Sequence, residues 1–595
     1  MTEPAARRGH DNPAPAPRFR PGGRRGGISG RAGRAGTAPG RSRLSRHPQP
    51  ATAMDRPTPD PDALAPTAPR SPASLAWWQE RVLYQIFVPS FQDADGDGFG
   101  DLAGLISRLD HLSDLGIGAV WLTPIYATPF EDAGYDVTDF TQVGARFGDL
   151  PTFDRLLAGL HARDIRLILD FVPNHTSDRH PWFRESRASR ASPRRDWYVW
   201  RDPGPEGSAP NNWLSRFGGS AWTHDARTDQ SYYHAFLPSQ PDLNWRNPEV
   251  RRAMHEVMRF WLRRGVDGFR IDAAAVLAED AALRDDPPNP DFDGDTPPPE
   301  RFRRLRTDSQ VVTLDYLAEL RRVVEEFPDR VLLGEVDTAP DKLPGFYGEG
   351  TRRLHLPLNY RLLSVPWKAA ALAGAVDAYL DALPPGAWPN WVLGSHDKAR
   401  IASRVGPAQA RVAALMLLTL PGTPMLFAGD EIGMPNVPVP VDRMRDPFER
   451  LVPGYGLSRD PSRVPLPWTA GPGGGFSAVE PWLPAPCPPP VAPVAAQARD
   501  PASLLSLYRA VIALRRRRPE FRAGGYARLR AEGGVFAYAR NLDGVRGIVA
   551  LNLTPSRLEA EVGTGRILLS TRPGRGGACE GRLCLEPHEG VVIAA

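Results

Sequence analysis

The chain has 595 residues, more than one hydrophobic core organises, and its 41% hydrophobic content with 15 tryptophans fits a globular enzyme with a large interior. No apolar run reaches the roughly 18–20 residues of a membrane span, the longest being Val412 to Leu420. Residues 1–53 hold eleven arginines and two acids, a charge of +9, so the total of +4 leaves −5 for everything after them; with no basic groove interleaved with aromatics, this excludes a nucleic-acid partner.

Residues 1 to about 70 are Arg, Gly, Ala and Pro with almost no aliphatic content, a composition that does not fold. They lack the apolar core of a secretory signal, and Met54 is the expected true start. Trp77 to Val88 opens the first strand. The loop after it, Asp93-Ala-Asp95-Gly-Asp97-Gly-Phe99-Gly-Asp101, sets carboxylates at alternate positions around glycines. Acids this close repel without a cation, so Asp93, Asp95, Asp97, Phe99 and Asp101 are expected to surround a hard ion, Ca2+ or Mg2+. Leu102 to Leu115 has helical period, and Gly116 to Leu122 is the second strand.

Ile165 to Asp170 is a third apolar run and ends in Asn174 and His175. The long loop from Thr176 to Asn244 is expected to be a small inserted domain, with Trp213, Trp222 and Tyr233 in its own core. Val250 to Leu262 is an amphipathic helix stopped by Gly265, and Val266 to Ile271 is a strand that presents Asp272 at its end. Arg270, two residues earlier, shares a face with Asp272 and is expected to hold it ionised. Asp285 to Glu300 is acidic and Pro-rich, expected as a solvated loop. Arg330 to Gly334 leads into Glu335, and Trp391 to Ser395 leads into His396 and Asp397. Pro435 to Asp500 is again Pro- and Gly-heavy. Leu504 to Arg516 returns to helical spacing. Short alternating runs beyond Phe521 form a C-terminal antiparallel β-sandwich. Cys487, Cys579 and Cys584 have no metal-ligand or redox spacing and fit reduced thiols in a cytoplasmic protein.

Alternating strands and helices predict a parallel sheet, and polar groups gathered at the C-terminal ends of strands predict an α/β fold of (β/α)8 TIM-barrel type, with the site at that face. The four strand-end stretches, taken in order with Gly116–Pro124 and Gly422–Gly433, resemble the signature regions of the α-amylase superfamily, glycoside hydrolase family 13. Gln240-Pro-Asp-Leu-Asn244 resembles the corresponding motif of its oligo-1,6-glucosidase and α-glucosidase branch. The resemblance runs from about Trp77 to the C-terminus. It implies a barrel over residues 76–174 and 245–516, a domain B over 175–244 after the third strand, and a sandwich over 521–595.

The resemblance also implies roles. Asp272 would be the nucleophile, Glu335 the general acid/base and Asp397 the third acid. Tyr135 would stack on the innermost sugar, with His175 and His396 donating to its hydroxyls. Asp136 would grip a terminal glucose and pair with Arg400, closing the pocket behind it. The Asp-rich loop resembles a structural calcium loop. The fourth region carries Ser395 where the family has Asn. The small Ala273 after the nucleophile tilts the resemblance toward α-1,4 linkages. The expected function is a retaining, exo-acting α-glucosidase on short oligosaccharides, with transfer to other sugars as a side activity. The alternatives are a maltose/trehalose isomerase and, from another class, a non-catalytic sugar-binding homologue; all three acids are present, which speaks against the second.

Overall fold

The computed structural model describes residues 75–293, 295–336, 338 and 341–595. The expectations for the N-terminal head and for Met54 lie outside these residues.

Eight short strands form the centre: β1 (Leu83–Ile86), β2 (Ala119–Leu122), β3 (Arg166–Phe171), β4 (Gly268–Ile271), β5 (Val331–Gly334), β6 (Leu356–Pro357), β7 (Asn390–Val392) and β8 (Thr423–Phe427). All pair in parallel, in the order β6-β5-β4-β3-β2-β1-β8-β7. The two ends of this order are joined by a side chain. Asn390 Nδ2 donates to the Pro357 carbonyl at 2.6 Å, and its Oδ1 accepts from Asn359 N–H at 2.9 Å. One amide therefore stands in for the missing ladder between β7 and β6, and the barrel closes.

The barrel interior changes character along its axis. Leu83, Ala119, Trp121, Ile168, Val331, Leu333, Leu356, Val392 and Met425 form one apolar cluster. Toward the C-terminal ends the inward positions become Gln85, Asp170 and Arg270, all fully or almost fully buried. Side-chain alternation sends their sequence neighbours Tyr84, Leu169 and Phe269 to the outer layer.

Outside lie α1 (Leu102–Ser107), α2 (Leu109–Leu115), α3 (Leu150–His161), α4 (Pro248–Arg264), α5 (Val311–Glu325), α6 (Leu343–Tyr347), α7 (Ala369–Ala382), α8 (Ile401–Thr419) and α9 (Leu504–Arg517). α4 shows how local sequence sets such an element. Asn247 caps it by accepting from Glu249 N–H, Pro248 occupies its first turn, and Gly265 at φ 105° ends it. The single helix expected over Leu102–Leu115 is instead two, broken at Arg108. There the guanidinium gives two bonds, of 2.8 and 2.6 Å, to Gln92 Oε1 and lies 4.3 Å over the Trp468 ring.

Between β3 and β4 the chain forms a separate small body with a three-stranded sheet of Trp200–Arg201, Gln230–Tyr233 and Trp222–Asp225. Trp213, Trp222 and Tyr233 pack on each other within its core, with ring centroids 5.4–5.9 Å apart. After β8 a largely irregular segment folds back over the barrel mouth. It is anchored by Trp468, which donates to the Phe91 carbonyl at 2.7 Å, and by Trp482.

The C-terminal domain is one antiparallel sheet of β9 (Gly525–Glu532), β10 (Val535–Leu542), β11 (Val545–Asn552), β12 (Leu558–Ser570), β13 (Ala578–Leu585) and β14 (Gly590–Ala594), ordered β9-β10-β11-β14-β12-β13. Bulges in β12 bend it so that Ala537, Ile548, Val562, Leu583 and Ile593 share one core. Its other face presents Tyr538, Val549, Leu551 and Val592 to the barrel's core, with Tyr538 Oη 2.6 Å from Thr419 Oγ1 on α8. No cysteine pair is bonded, and among the described residues no helix is long and apolar enough to cross a membrane.

Candidate active site

Arg270 is the hub of the barrel mouth. It is fully buried and points inward from β4 over the Trp121 ring at 4.9 Å. Its Nη1 donates to Asp170 Oδ1 at 2.8 Å and to Asp272 Oδ1 at 2.6 Å. Its Nη2 lies 2.7 Å from Glu335 Oε2. Glu335 comes from the end of β5, and neighbouring parallel strands put it beside Asp272. Three carboxyls thus share one guanidinium. Burial pushes the Asp272 carboxyl well up, the positive Arg270 opposes this, and Glu335 and Asp170 add to it. Burial likewise pushes Asp170 up to about 6, against Arg270. The expectation that Arg270 fixes the charge of Asp272 is therefore only half of the balance: with more carboxyls than cations, this cluster retains a proton above the ordinary carboxylate range.

Ala273, directly after Asp272, has φ 48°, in the left-handed region that disfavours side chains larger than Gly. This turn aims its N–H at Glu335 Oε2, 3.3 Å away.

Asp397 sits in the opposite electrostatic setting. Burial would raise its carboxyl, but His396, Arg459 and Arg463 overcome that and hold it well below the usual range. Arg463 Nη2 lies at 2.7 Å and Arg459 Nη1 at 3.2 Å from its Oδ1. Ser395 Oγ accepts from Asp397 N–H at 3.2 Å, so the serine fixes this turn through the backbone. His396 stacks parallel to Tyr135, with centroids 5.6 Å apart. Its Nε2 is 2.9 Å from Tyr135 Oη, and its Nδ1 is 2.6 Å from Gln85 Nε2. Tyr135 Oη also donates to Asp170 at 3.0 Å. Burial pushes His396 down to about 3 and His175 to about 4, so both are neutral at pH 7.

The expected Asp136–Arg400 pair does not form. Asp136 is fully buried and turned away from the mouth, accepting from Thr128 Oγ1 and the N–H groups of Glu131 and Asp132. Its neighbour Tyr135 faces the pocket, and adjacent residues here face opposite ways. Arg400 lies beneath the site at the start of α8. It donates to the Ala428 and Ser462 carbonyls at 2.8 and 2.9 Å, with Asp430 at 3.6 Å. The pair that lines the pocket is Asp132 and Arg459, 2.9 Å apart. Arg459 also makes a two-point bond to Asp446, at 2.9 Å each. Asp132 sits three residues before Tyr135 in the same turn, and Arg459 lies in the segment after β8. Gln240 supplies a further link, placing its Nε2 3.1 Å from His175 Nε2 and 3.2 Å from Asp132 Oδ2.

These side chains line a cavity of about 360 Å³ that includes Asp132, Tyr135, His175, Asp272, Glu335, Asp397 and Arg459. Outward from the acids its walls are Phe217, Phe236 and Phe448, together with Pro297, Pro299 and Glu300. The acidic insert expected as a solvated loop therefore forms part of the wall. Cavities of about 520 and 460 Å³ also exist, but none of the three strand-end acids lines them, so chemistry rather than size identifies the site.

In the Asp-rich loop, oxygens of Asp93, Asp95 and Asp101 lie within 4.8 Å of one another. Asp97 is outside that group, and its Oδ1 accepts from Phe99 N–H at 2.8 Å. Burial and the nearby Asp97, Asp101 and Asp93 push Asp95 up, as expected for acids crowded without a counter-charge. The residues fit a hard divalent cation, with three convergent carboxylates on a Gly-punctuated turn.

The sequence matches the family description "Alpha amylase, catalytic domain" over residues 85–524. A probable alpha-glucosidase of Rhizobium meliloti (strain 1021) is 37% identical over 480 residues, covering 78% of this chain and 87% of its own. An oligo-1,6-glucosidase of Parageobacillus thermoglucosidasius is 35% identical over 520 residues, covering 80% and 90%. The crystal structure of the alpha-glucosyl transfer enzyme XgtA superposes with a TM-score of 0.83 at 36% identity, covering 88% of this chain and all of that one.

Proposed function

This chain belongs to the α-amylase family of glycoside hydrolases, and from that premise we propose that it is a retaining, exo-acting α-glucosidase that removes terminal α-linked glucose from short oligosaccharides. The observation that carries the reading is the single guanidinium of Arg270 in ion-pair contact with both Asp272 and Glu335. Retention needs the two carboxyls close together, roughly 5–5.5 Å apart, and a guanidinium in contact with both holds them near one another.

Asp272 attacks the anomeric carbon while Glu335 gives its proton to the departing glycosidic oxygen, so the C–O bond breaks as the ester to Asp272 forms. Glu335, now a carboxylate, takes a proton from water, which displaces Asp272 with a second inversion. A sugar hydroxyl in place of that water gives transfer. The ionised Asp397 accepts sugar hydroxyl bonds that strengthen as the ring flattens, and neutral His175 in the cavity wall serves as a hydroxyl partner. His396, with both ring nitrogens held by Tyr135 and Gln85, orients Tyr135 instead of meeting the sugar as the sequence led us to expect. The Asp132–Arg459 pair closes the pocket behind one glucose, which makes cleavage exo. The resemblance, through the small Ala273 after the nucleophile, tilts this reading toward α-1,4 over α-1,6 substrates.

We further propose Ca2+ in the loop of Asp93, Asp95 and Asp101. Chelation is expected to lower the Tm, with Ca2+ restoring it more fully than Mg2+; a Tm indifferent to chelator removes the site.

The test is product analysis by NMR on maltose, isomaltose and trehalose, beside Asp272→Asn. α-Glucose released from maltose and lost in the variant supports the reading. Conversion of maltose to trehalose replaces it with the isomerase, and no turnover of any sugar replaces it with a binding protein.

A further inference from the structure

At the opposite end of the barrel, where β1 and β2 begin, a cleft of about 290 Å³ is walled by Arg81, Arg163, Arg515, Arg516 and Arg522, with Glu80 and Asp164 also in its lining. Three of these have acidic partners: Arg81 with Asp164 at 2.9 Å, Arg163 with Asp110 at 2.7 Å and Arg522 with Glu80 at 3.1 Å. Arg515 and Arg516, at the end of α9, have no carboxylate partner among the described residues. Arg516 donates only to the Gly116 carbonyl at 2.9 Å. Arg515 is 1% exposed and donates to the carbonyls of Leu418, Phe521 and Gly422, at 3.1, 2.7 and 2.5 Å. Its Nε is buried without an acceptor, and so is the Nε of Arg522. Burial, with Arg540 and Arg522 as like-charged neighbours, pushes the Arg515 guanidinium down, against the nearby Glu80.

Carbonyls at a helix end satisfy N–H groups but carry no net charge, so packing alone leaves Arg516 at the cleft wall and the buried Arg515 behind it without an ion-pair partner among the described residues. We infer that the cleft binds a doubly charged oxyanion of the phosphate class, either inorganic phosphate or the phosphoryl group of a sugar phosphate. Planar guanidinium forks suit tetrahedral oxyanions, and two uncompensated charges match a dianion. The ligand would bridge α9, the starts of β1 and β2, and Arg522 on the link to the C-terminal sheet. Occupancy therefore acts on stability, remote from the acids at the other barrel face.

The test uses the full chain and compares Tm and calorimetric affinity with inorganic phosphate, a hexose phosphate and chloride at equal ionic strength. Arg516→Gln is the site variant. Arg517→Gln, the neighbouring exposed arginine outside the cleft, is the control for net charge. Phosphate-specific stabilisation in the wild type and Arg517→Gln, with affinity weakened at least about tenfold in Arg516→Gln, supports the site. Tighter binding of one phosphate probe under that pattern supports it and names the source. A wild-type response no larger than that to chloride, or an undiminished response in Arg516→Gln, overturns it.

Discussion

Arg459 divides one guanidinium among Asp132, Asp397 and Asp446, a task that needs a planar group with five donors. Lysine keeps the charge and loses the fork. Arg459→Lys is expected to lower kcat/KM on maltose by about 10²–10⁴, from two charged hydrogen bonds lost at about 1.5–3 kcal/mol each, and to lower unfolding stability as well, since buried Asp446 loses its two-point partner. A loss within tenfold would show that the wall needs only a cation. Arg400 is expected to act on stability alone because its partners are carbonyls and Asp430 beneath the site. Arg400→Met is expected to cost about 3–5 kcal/mol in urea unfolding, since Asp430 is left buried without its cation; a stable variant with altered substrate choice would return Arg400 to the pocket. The sequence motif around Gly134-Tyr135 marks the right loop, yet it does not mark which acid faces the sugar. Asp132 and Asp136 flank the same turn, and only backbone direction separates them. Arg459 sits in Pro-rich chain with no periodicity, so nothing local aims it.

Among the elements, the strands were the legible part, because apolar runs ending in acids or His encode both the sheet and its functional edge. The closing contact was not legible. Asn390 opens β7 in a stretch that reads simply as strand, while its amide completes the barrel between β7 and β6. Asn390→Ala leaves Asn359 N–H and the Pro357 carbonyl without that partner, and about 2–4 kcal/mol of stability should be lost by denaturant titration. An unchanged midpoint would mean that other groups close the gap. Leu102–Leu115 failed as one helix because its break at Arg108 serves a tertiary partner, Gln92, that periodicity does not report.

At the scale of the whole molecule, two sets of buried groups oppose each other as pH falls. His175, His180, His234 and His255 are pushed down to about 4 by burial, and His396 to about 3. Their contribution is present above the unfolded value near 6.5 and is lost as pH falls toward 4. Asp136, Asp170 and Asp430 are pushed up to about 6 by burial, and Glu279 to about 7. Their contribution runs the other way, present at low pH and lost as pH rises through those values. Between pH 7 and 5 the two sets largely offset. Below about pH 4 the depressed carboxylates act unopposed: burial would raise Asp446, but Arg459 and Arg463 hold it at about 2, and Asp397 lies lower still. Unfolding free energy is expected to be nearly flat from pH 7 to 5 and to fall steeply below 4. A loss concentrated between 6.5 and 5 would show that the imidazoles dominate.

The wall that stops the substrate and the acids that cut it belong to different stretches of chain. Asp272 and Glu335 ride on barrel strands that cannot shift without disturbing the closed sheet, whereas Arg459 rides on an irregular segment pinned by Trp468 and Trp482. Mutation is therefore unequally free. Descendants of this protein could lengthen, shorten or discard that segment, turning a dead end into an open channel or resizing it for another sugar, while the cutting chemistry is inherited intact.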